Sequence, residues 1–152
     1  MLVLTLCLNI VLTAQNTCAV FTQIKKHAPK INNDYALILS ESIILFAKKY
    51  DLKPNILTAI IRQESNFKMG AFNKKSKDFG LTQINVKTIG NFNFDKNKIM
   101  TNIPYSIEAG AIVLSDFKKR YFKKEGYGYW CRYNTSNPIK RQNYRKLVSK
   151  FL

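Results

Sequence analysis

Apolar residues recur in this chain at helical rather than strand spacing, and that restricts what it can fold into. Between Asp34 and Tyr50, the residues Tyr35, Leu39, Ile43, Phe46 and Ala47 fall at helical intervals. Leu37, Ile38, Ile44 and Leu45 widen the stripe and predict a well-covered helix. Asn32 or Asn33 is a suitable cap. Asp51-Leu52-Lys53-Pro54 reads as a turn, and Pro54 suits the first turn of a second helix running to about Glu64. A short helix is expected near Val86–Gly90, and the Asn- and Lys-rich stretch Asn91–Asn102 reads as irregular. A further helix opens at Thr101 or Asn102 and continues through Ser106–Tyr121, with Ile107, Ala111, Leu114 and Phe117 inward. Gly126 and Gly128 interrupt the chain before a short aromatic helix at Tyr129–Asn134. Lys140–Leu152 predicts a final basic amphipathic helix with Tyr144, Leu147, Val148 and Phe151 inward. Strand-like alternation is scarce, so the expected fold is mainly α.

A chain of 152 residues suits one domain with a sizeable core. Its first nineteen residues carry no charge, and Met1–Val11 is apolar except for Thr5 and Asn9. This run is too short to span a bilayer and reads as a signal peptide over residues 1–19, with Thr17-Cys18-Ala19 as the cleavage site. A buried N-terminal helix or an uncleaved anchor is the alternative. Residues 20–33 are polar, basic and contain Pro29, so they read as a connection. The domain proper is expected at 34–152. Of Cys7, Cys18 and Cys131, cleavage after Ala19 leaves Cys131 alone, whereas cleavage after Ala14 leaves Cys18 and Cys131 able to pair. No spacing suggests a metal site. The single histidine, His27, lies beside Lys25 and Lys26 and makes a poor catalytic base.

Lys and Arg number 25 against 9 for Asp and Glu, a formal charge of +16. Such an excess implies a polyanionic partner or surface. Nucleic acid, anionic lipid and an acidic wall polymer all qualify. No RNA-recognition motif, zinc-finger spacing or clear helix-turn-helix signal is present, which disfavours nucleic acid.

Against this basic background, one acid stands out. Ala59–Phe67 reads Ala-Ile-Ile-Arg-Gln-Glu-Ser-Asn-Phe, an apolar helix that meets Glu64 just before Ser65 and Asn66 break it. Burial and the negative end of a helix both push a carboxyl pKa upward. A general acid working near neutral pH requires that shift. The local alternative is a surface acid paired with a lysine.

Four stretches follow in order: Glu64-Ser65-Asn66-Phe67, Gly80-Leu81-Thr82-Gln83-Ile84-Asn85, Ser106-Ile107-Glu108-Ala109-Gly110-Ala111 and Tyr133-Asn134-Thr135. This order resembles the lytic transglycosylases with a goose-type lysozyme-like (SLT) fold, over about Tyr35 to Leu152. The tail, with Trp130, Asn134, Thr135, Asn137, Pro138, Tyr144 and Val148, resembles the short members that accompany secretion systems, pili and conjugation machinery. Thr82 stands where the family usually has Met, and Asn85 where some members have Met or Pro.

The resemblance implies a mainly α, lysozyme-like single domain acting on peptidoglycan glycan strands, exported to the periplasm or beyond, as a monomer without metal or cofactor. It implies that Glu64 is the catalytic acid and then base. It implies a tyrosine at Tyr133 whose hydroxyl reaches that acid. Gln83 is a candidate substrate contact, since an amide both donates and accepts hydrogen bonds. Asn85 and Asn134 are candidates of the same kind, and Ser65 either acts beside the acid or ends its helix. Gly80 is either a turn glycine or a point where backbone approaches the sugar. Glu108 and Gly110 suit helix packing. Asp78 either orients its loop or serves as a second carboxylate, and in the latter case the enzyme is a hydrolytic goose-type lysozyme. A wall-binding adaptor without activity is the remaining reading.

Overall fold

The computed structural model describes residues 2–152, with side chains described at 12 and from 14 onward. Seven α-helices, one 3-10 helix and a small sheet form the described part: α1 (Leu2–His27), α2 (Asn33–Lys49), α3 (Pro54–Ser65), β1 (Phe72–Asn73), β2 (Asp78–Phe79), β3 (Ile84–Asn85), α4 (Val86–Asn91), α5 (Lys96–Thr101), α6 (Ile103–Glu125), the 3-10 helix (Gly126–Tyr133) and α7 (Pro138–Ser149). The fold is lysozyme-like and mainly helical.

Caps set most helix starts. The side chain of Asn32 accepts from Tyr35 N at the start of α2, and Asn102 accepts from Tyr105 N at the start of α6. Pro54, Pro104 and Pro138 sit in first turns, where a missing N–H costs nothing. The main core joins Leu39 and Ile43 of α2, Leu57, Ile60 and Ile61 of α3, and Ile107 and Leu114 of α6. A second cluster, Ile84, Ile89, Ile99 and Ala109, lies under the sheet. Gly110 lets α6 approach the turn between β2 and β3 closely, because a Cβ there would stand 2.4–2.8 Å from side-chain atoms of Thr82. Glu108 pairs with Lys49 at 2.6 Å and accepts from the Tyr50 hydroxyl at 2.8 Å.

Several expectations are corrected. Residues 20–33 are not simply a connection, since α1 runs to His27 and buries Val20 and Ile24 in the main core. Gln23 Nε2 donates to Phe151 O at 2.6 Å, and His27 sets its ring edge-on to Phe151. The apolar residues were sparse enough among Gln23, Lys25 and Lys26 to hide a one-sided stripe. The stretch 91–102 contains α5, capped by Asp95, whose carboxylate accepts from Asn97 N and Lys98 N. Leu37, Ile38 and Leu45 of α2 and Leu147 of α7 are exposed, so the buried stripes are narrower than their apolar content. Cys18 is an exposed free thiol and Cys131 a buried one, and the two are not paired. Cys7 and most of the segment 1–19 fall outside the residues whose side chains are described. Among the described residues no helix is long and apolar enough to cross a membrane.

If α1 belongs to the core, Ile24→Ala should lower the unfolding free energy by about 2–5 kcal/mol in urea denaturation. A loss under about 0.5 kcal/mol, the range of surface substitutions, would make this segment a mere connection.

Candidate active site

Glu64 occupies the penultimate position of α3, and the way that helix stops fixes where its carboxyl points. Asn66 closes the helix in the left-handed region at φ +54°, with its N–H donating to Arg62 O. Phe67 follows at φ +60° and is buried. A bulky residue rarely adopts that conformation. Here core burial of its ring and a hydrogen bond from the Tyr35 hydroxyl to its carbonyl, at 2.8 Å, hold it. The chain then turns into the sheet, whose register places Asn73 opposite Asp78 and Asp78 opposite Asn85.

These elements enclose a cavity of about 470 Å³ lined by Glu64, Asn73, Ser76, Asp78, Gln83, Asn85, Thr88, Val113, Tyr133 and Asn134, with Ile84 beneath. Its wall is polar, which suits a hydroxyl-rich ligand. A larger apolar groove of about 1200 Å³ runs between α1 and α2, past Leu12, Phe21, Leu37 and Leu45, and includes none of these residues. The smaller cavity is the one that contains the buried carboxyl of Glu64 together with the amide side chains of Asn73, Gln83, Asn85 and Asn134.

Burial pushes the Glu64 carboxyl up to about 7, and the charge of Asp78 adds to the rise. The Tyr144 hydroxyl opposes it by donating to Glu64 Oε1 at 2.6 Å. Near neutral pH the group is therefore divided between acid and carboxylate, which suits both donating and accepting a proton. Tyr144 is buried on α7 and packs beside Trp130, so the last helix reaches the acid on the third.

The structure brings Glu64, Gln83, Asn85, Tyr133 and Asn134 to one cavity. Tyr133, Gln83 and Asn85 also make contacts within the fold that the sequence did not indicate. Tyr133 does not bond the acid; its hydroxyl donates to Thr82 O at 3.0 Å. The hydroxyl on Glu64 belongs to Tyr144, a residue that sequence periodicity marked only as inward-facing. Gln83 sits at φ +47° and donates from Nε2 to Ala71 O and Gly80 O at 3.0 and 2.9 Å, so its amide nitrogen holds the loop. Asn85 caps α4 with Oδ1 and donates from Nδ2 to Asp78 Oδ1 at 2.8 Å.

Ser65 and Gly80 are not part of the cavity wall. Ser65 Oγ donates back to Ile61 O at 3.1 Å inside its own helix. Gly80, at φ +76°, faces the interior, where a Cβ would lie 2.6 Å from Ile99 O and 2.7 Å from Ser106 Oγ. Close packing of the chain on itself is by itself enough to require glycine there. Thr82 is buried as well, with Oγ1 donating to Ser106 O at 3.2 Å. Asn73, Ser76, Thr88 and Val113 line the cavity but were not singled out from sequence. Asn73 and Asp78 alternate with Phe72 and Phe79 along the hairpin, a period too short to be noticed in two-residue strands.

With this geometry in view, the comparisons are specific. The family profile described as Transglycosylase SLT domain matches residues 41–147. The chain belongs to the transglycosylase SLT domain family. A search of curated proteins finds no match. The SLT match runs from α2 into α7, so it includes both Glu64 and its partner Tyr144. Members of the SLT family are lytic transglycosylases acting on peptidoglycan.

The Glu64 shift carries a stability consequence. The folded protein keeps the proton up to about pH 7, while an ordinary carboxyl releases it near 4.5. The stabilisation from this proton is full below the lower value and is lost as pH rises through the upper one. Glu64→Gln should therefore exceed the wild type in stability by about 3 kcal/mol at about pH 8, and the gap should close near pH 4. Denaturant titrations at both pH values check this. Tyr144→Phe, which deletes the opposing hydrogen bond, should move the Glu64 titration to higher pH, and Tyr133→Phe should move it less. Equal shifts would place both hydroxyls on the acid.

Proposed function

We propose that this protein is a peptidoglycan lytic transglycosylase that cleaves the β-1,4 bond between N-acetylmuramic acid and N-acetylglucosamine without water. The observation that carries the reading is a carboxyl raised to about 7, in a polar cavity, within an SLT domain.

Protonated Glu64 gives its proton to the glycosidic oxygen as the C1–O bond breaks. Positive charge develops at C1 of the muramoyl ring, and the acetamido oxygen of the same sugar assists from the opposite face. Glu64 is then a carboxylate, and the Tyr144 O–H supports that charge at Oε1. The carboxylate takes the proton from the C6 hydroxyl, and O6 closes on C1. The product is a 1,6-anhydromuramoyl end, and Glu64 is returned in its acid form. One carboxyl suffices, in contrast to the pair in an ordinary glycosidase. Gln83 and Asn134 lie along the same wall as candidate partners for acetamido and hydroxyl groups of the glycan, Gln83 through the amide oxygen that its loop contacts leave, while Asn85 lines the wall with its amide nitrogen bonded to Ser76 O and Asp78.

The same reading places the protein outside the cytoplasm, exported by its uncharged N-terminal segment. The tail pattern supports a role in opening the wall locally for a secretion, pilus or conjugation assembly. A second reading, hydrolysis, is favoured by one observation: Asp78 lines the same cavity and acts on Glu64 through its charge. In that case Asp78 would be the second carboxylate, and a water would replace O6.

Mass spectrometry of digested peptidoglycan separates these outcomes. Anhydro products, lighter by one water than lysozyme products, are expected. Reducing ends would establish the hydrolase, and binding without products would make the protein a wall adaptor. Glu64→Gln should retain glycan binding and lose about 10²–10⁴-fold in turnover, because an amide cannot deliver the proton. Turnover near wild type would remove Glu64 from its assigned role.

A further inference from the structure

Four lysines flank, in sequence, residues that line the cavity beside the sheet. Lys74, Lys75 and Lys77 lie in the turn between β1 and β2, Lys87 lies in the first turn of α4, and all four are exposed. The turn is well defined. Asn73 Oδ1 accepts from Lys75 N at 3.1 Å and Ser76 N at 3.3 Å, and Lys77 N donates to Asn73 O at 2.8 Å. Lys77 itself stands at φ +58°. Val86 N donates to Lys77 O at 3.0 Å, and Asn85 Nδ2 donates to Ser76 O at 2.7 Å, so the start of α4 is fastened to the same turn.

Two features give this group a direction. Asn73, Ser76, Asn85 and Thr88, the neighbours of these lysines in sequence, line the cavity. Among the described residues, none of the four ammonium groups forms an ion pair, whereas Lys49 and Lys118 do. Asp78, the acid nearest in sequence to the three turn lysines, accepts instead from Ser76 and Asn85. The result is a group of cations without ion pairs close in the chain to a polar cavity.

We infer that these lysines bind the carboxylates of the peptide stems carried by the same glycan strand whose sugars occupy the cavity. The inference rests on the peptidoglycan reading and specifies the substrate form: stem-bearing rather than bare glycan. A cavity of about 470 Å³ holds sugar rings. The stems branch from the muramoyl rings and must leave over an edge. Their free carboxylates are compact anions on a flexible chain, and ammonium groups on long stems meet such anions without fixed geometry. Each exposed contact is weak, so several are needed in one place.

The test uses Glu64→Gln protein, which does not consume the polymer, with and without glutamine at Lys74, Lys75, Lys77 and Lys87. Binding is measured by pelleting with sacculi that contain no teichoic acid, and with the same sacculi stripped of stems by an amidase. The variant at these four positions is expected to bind intact sacculi about tenfold more weakly, with a shallower salt dependence, and stripped glycan less than about twofold more weakly. A control with glutamine at Lys119, Lys123, Lys124 and Lys146, on α6 and α7, should lose less than about twofold on either polymer. Equal losses on both polymers, no loss on intact sacculi, or a matching loss in the control would overturn the inference. Digestion by the wild type, run in parallel, reports on the lytic reading separately. If no anhydro product formed while the contrast persisted, that reading would fail and the assignment of the four lysines would stand.

Discussion

The 2.6 Å hydrogen bond from Tyr144 to Glu64 joins the last helix to the third, and the site depends on the balance it helps to set. Burial without this bond would drive the carboxyl further upward and favour the acid form more strongly. The hydroxyl, which favours the ionised form, restrains the rise. A group that must give a proton and then take one works best between those limits. That balance requires α3 to end at Ser65, α7 to pack against α3, and the core around Trp130 to hold Tyr144 in place.

The small sheet completes the site from the other side. Its three strands are two residues each, too short to stand alone, and they are fixed from outside. Gly80 accepts contacts that a side chain would forbid, and Ser106 Oγ accepts from Leu81 N at 3.1 Å. Gly110 makes room for Thr82 in turn. The segment Gly80–Asn85 thus spends its small and polar residues largely on seating the loop, and presents Gln83 and Asn85 to the cavity as a consequence.

Much of the helical frame was legible in the sequence because capping and periodicity are local. Asn32, Pro54 and Asn102 mark helix starts within a residue or two. The acid was legible too, as a carboxylate arriving at the end of an apolar run. Partner choice was not, because it depends on distant packing: Tyr133 and Tyr144 both point toward the cavity region, and only the placement of α7 decides which hydroxyl meets Glu64. The two readings of Ser65 and of Gly80 were left open by the sequence for a related reason, and the structure shows a backbone role for each. A motif preserves residues that shape the backbone as strictly as residues that touch a ligand, and spacing does not distinguish them. The end of α1 was missed because its inward residues, Val20 and Ile24 with Phe21 partly buried, run into the polar stretch Thr22-Gln23 and Lys25-Lys26.

The central claim is that Glu64 holds its proton close to neutral pH. Its side-chain carboxyl carbon, labelled with ¹³C and followed by NMR from acid to alkaline pH in the free protein, measures this directly. The account predicts a single titration near 7, well above the ordinary 4.5. A midpoint at the ordinary value would contradict it, since the carboxyl would then be ionised at neutral pH and unable to serve as the acid.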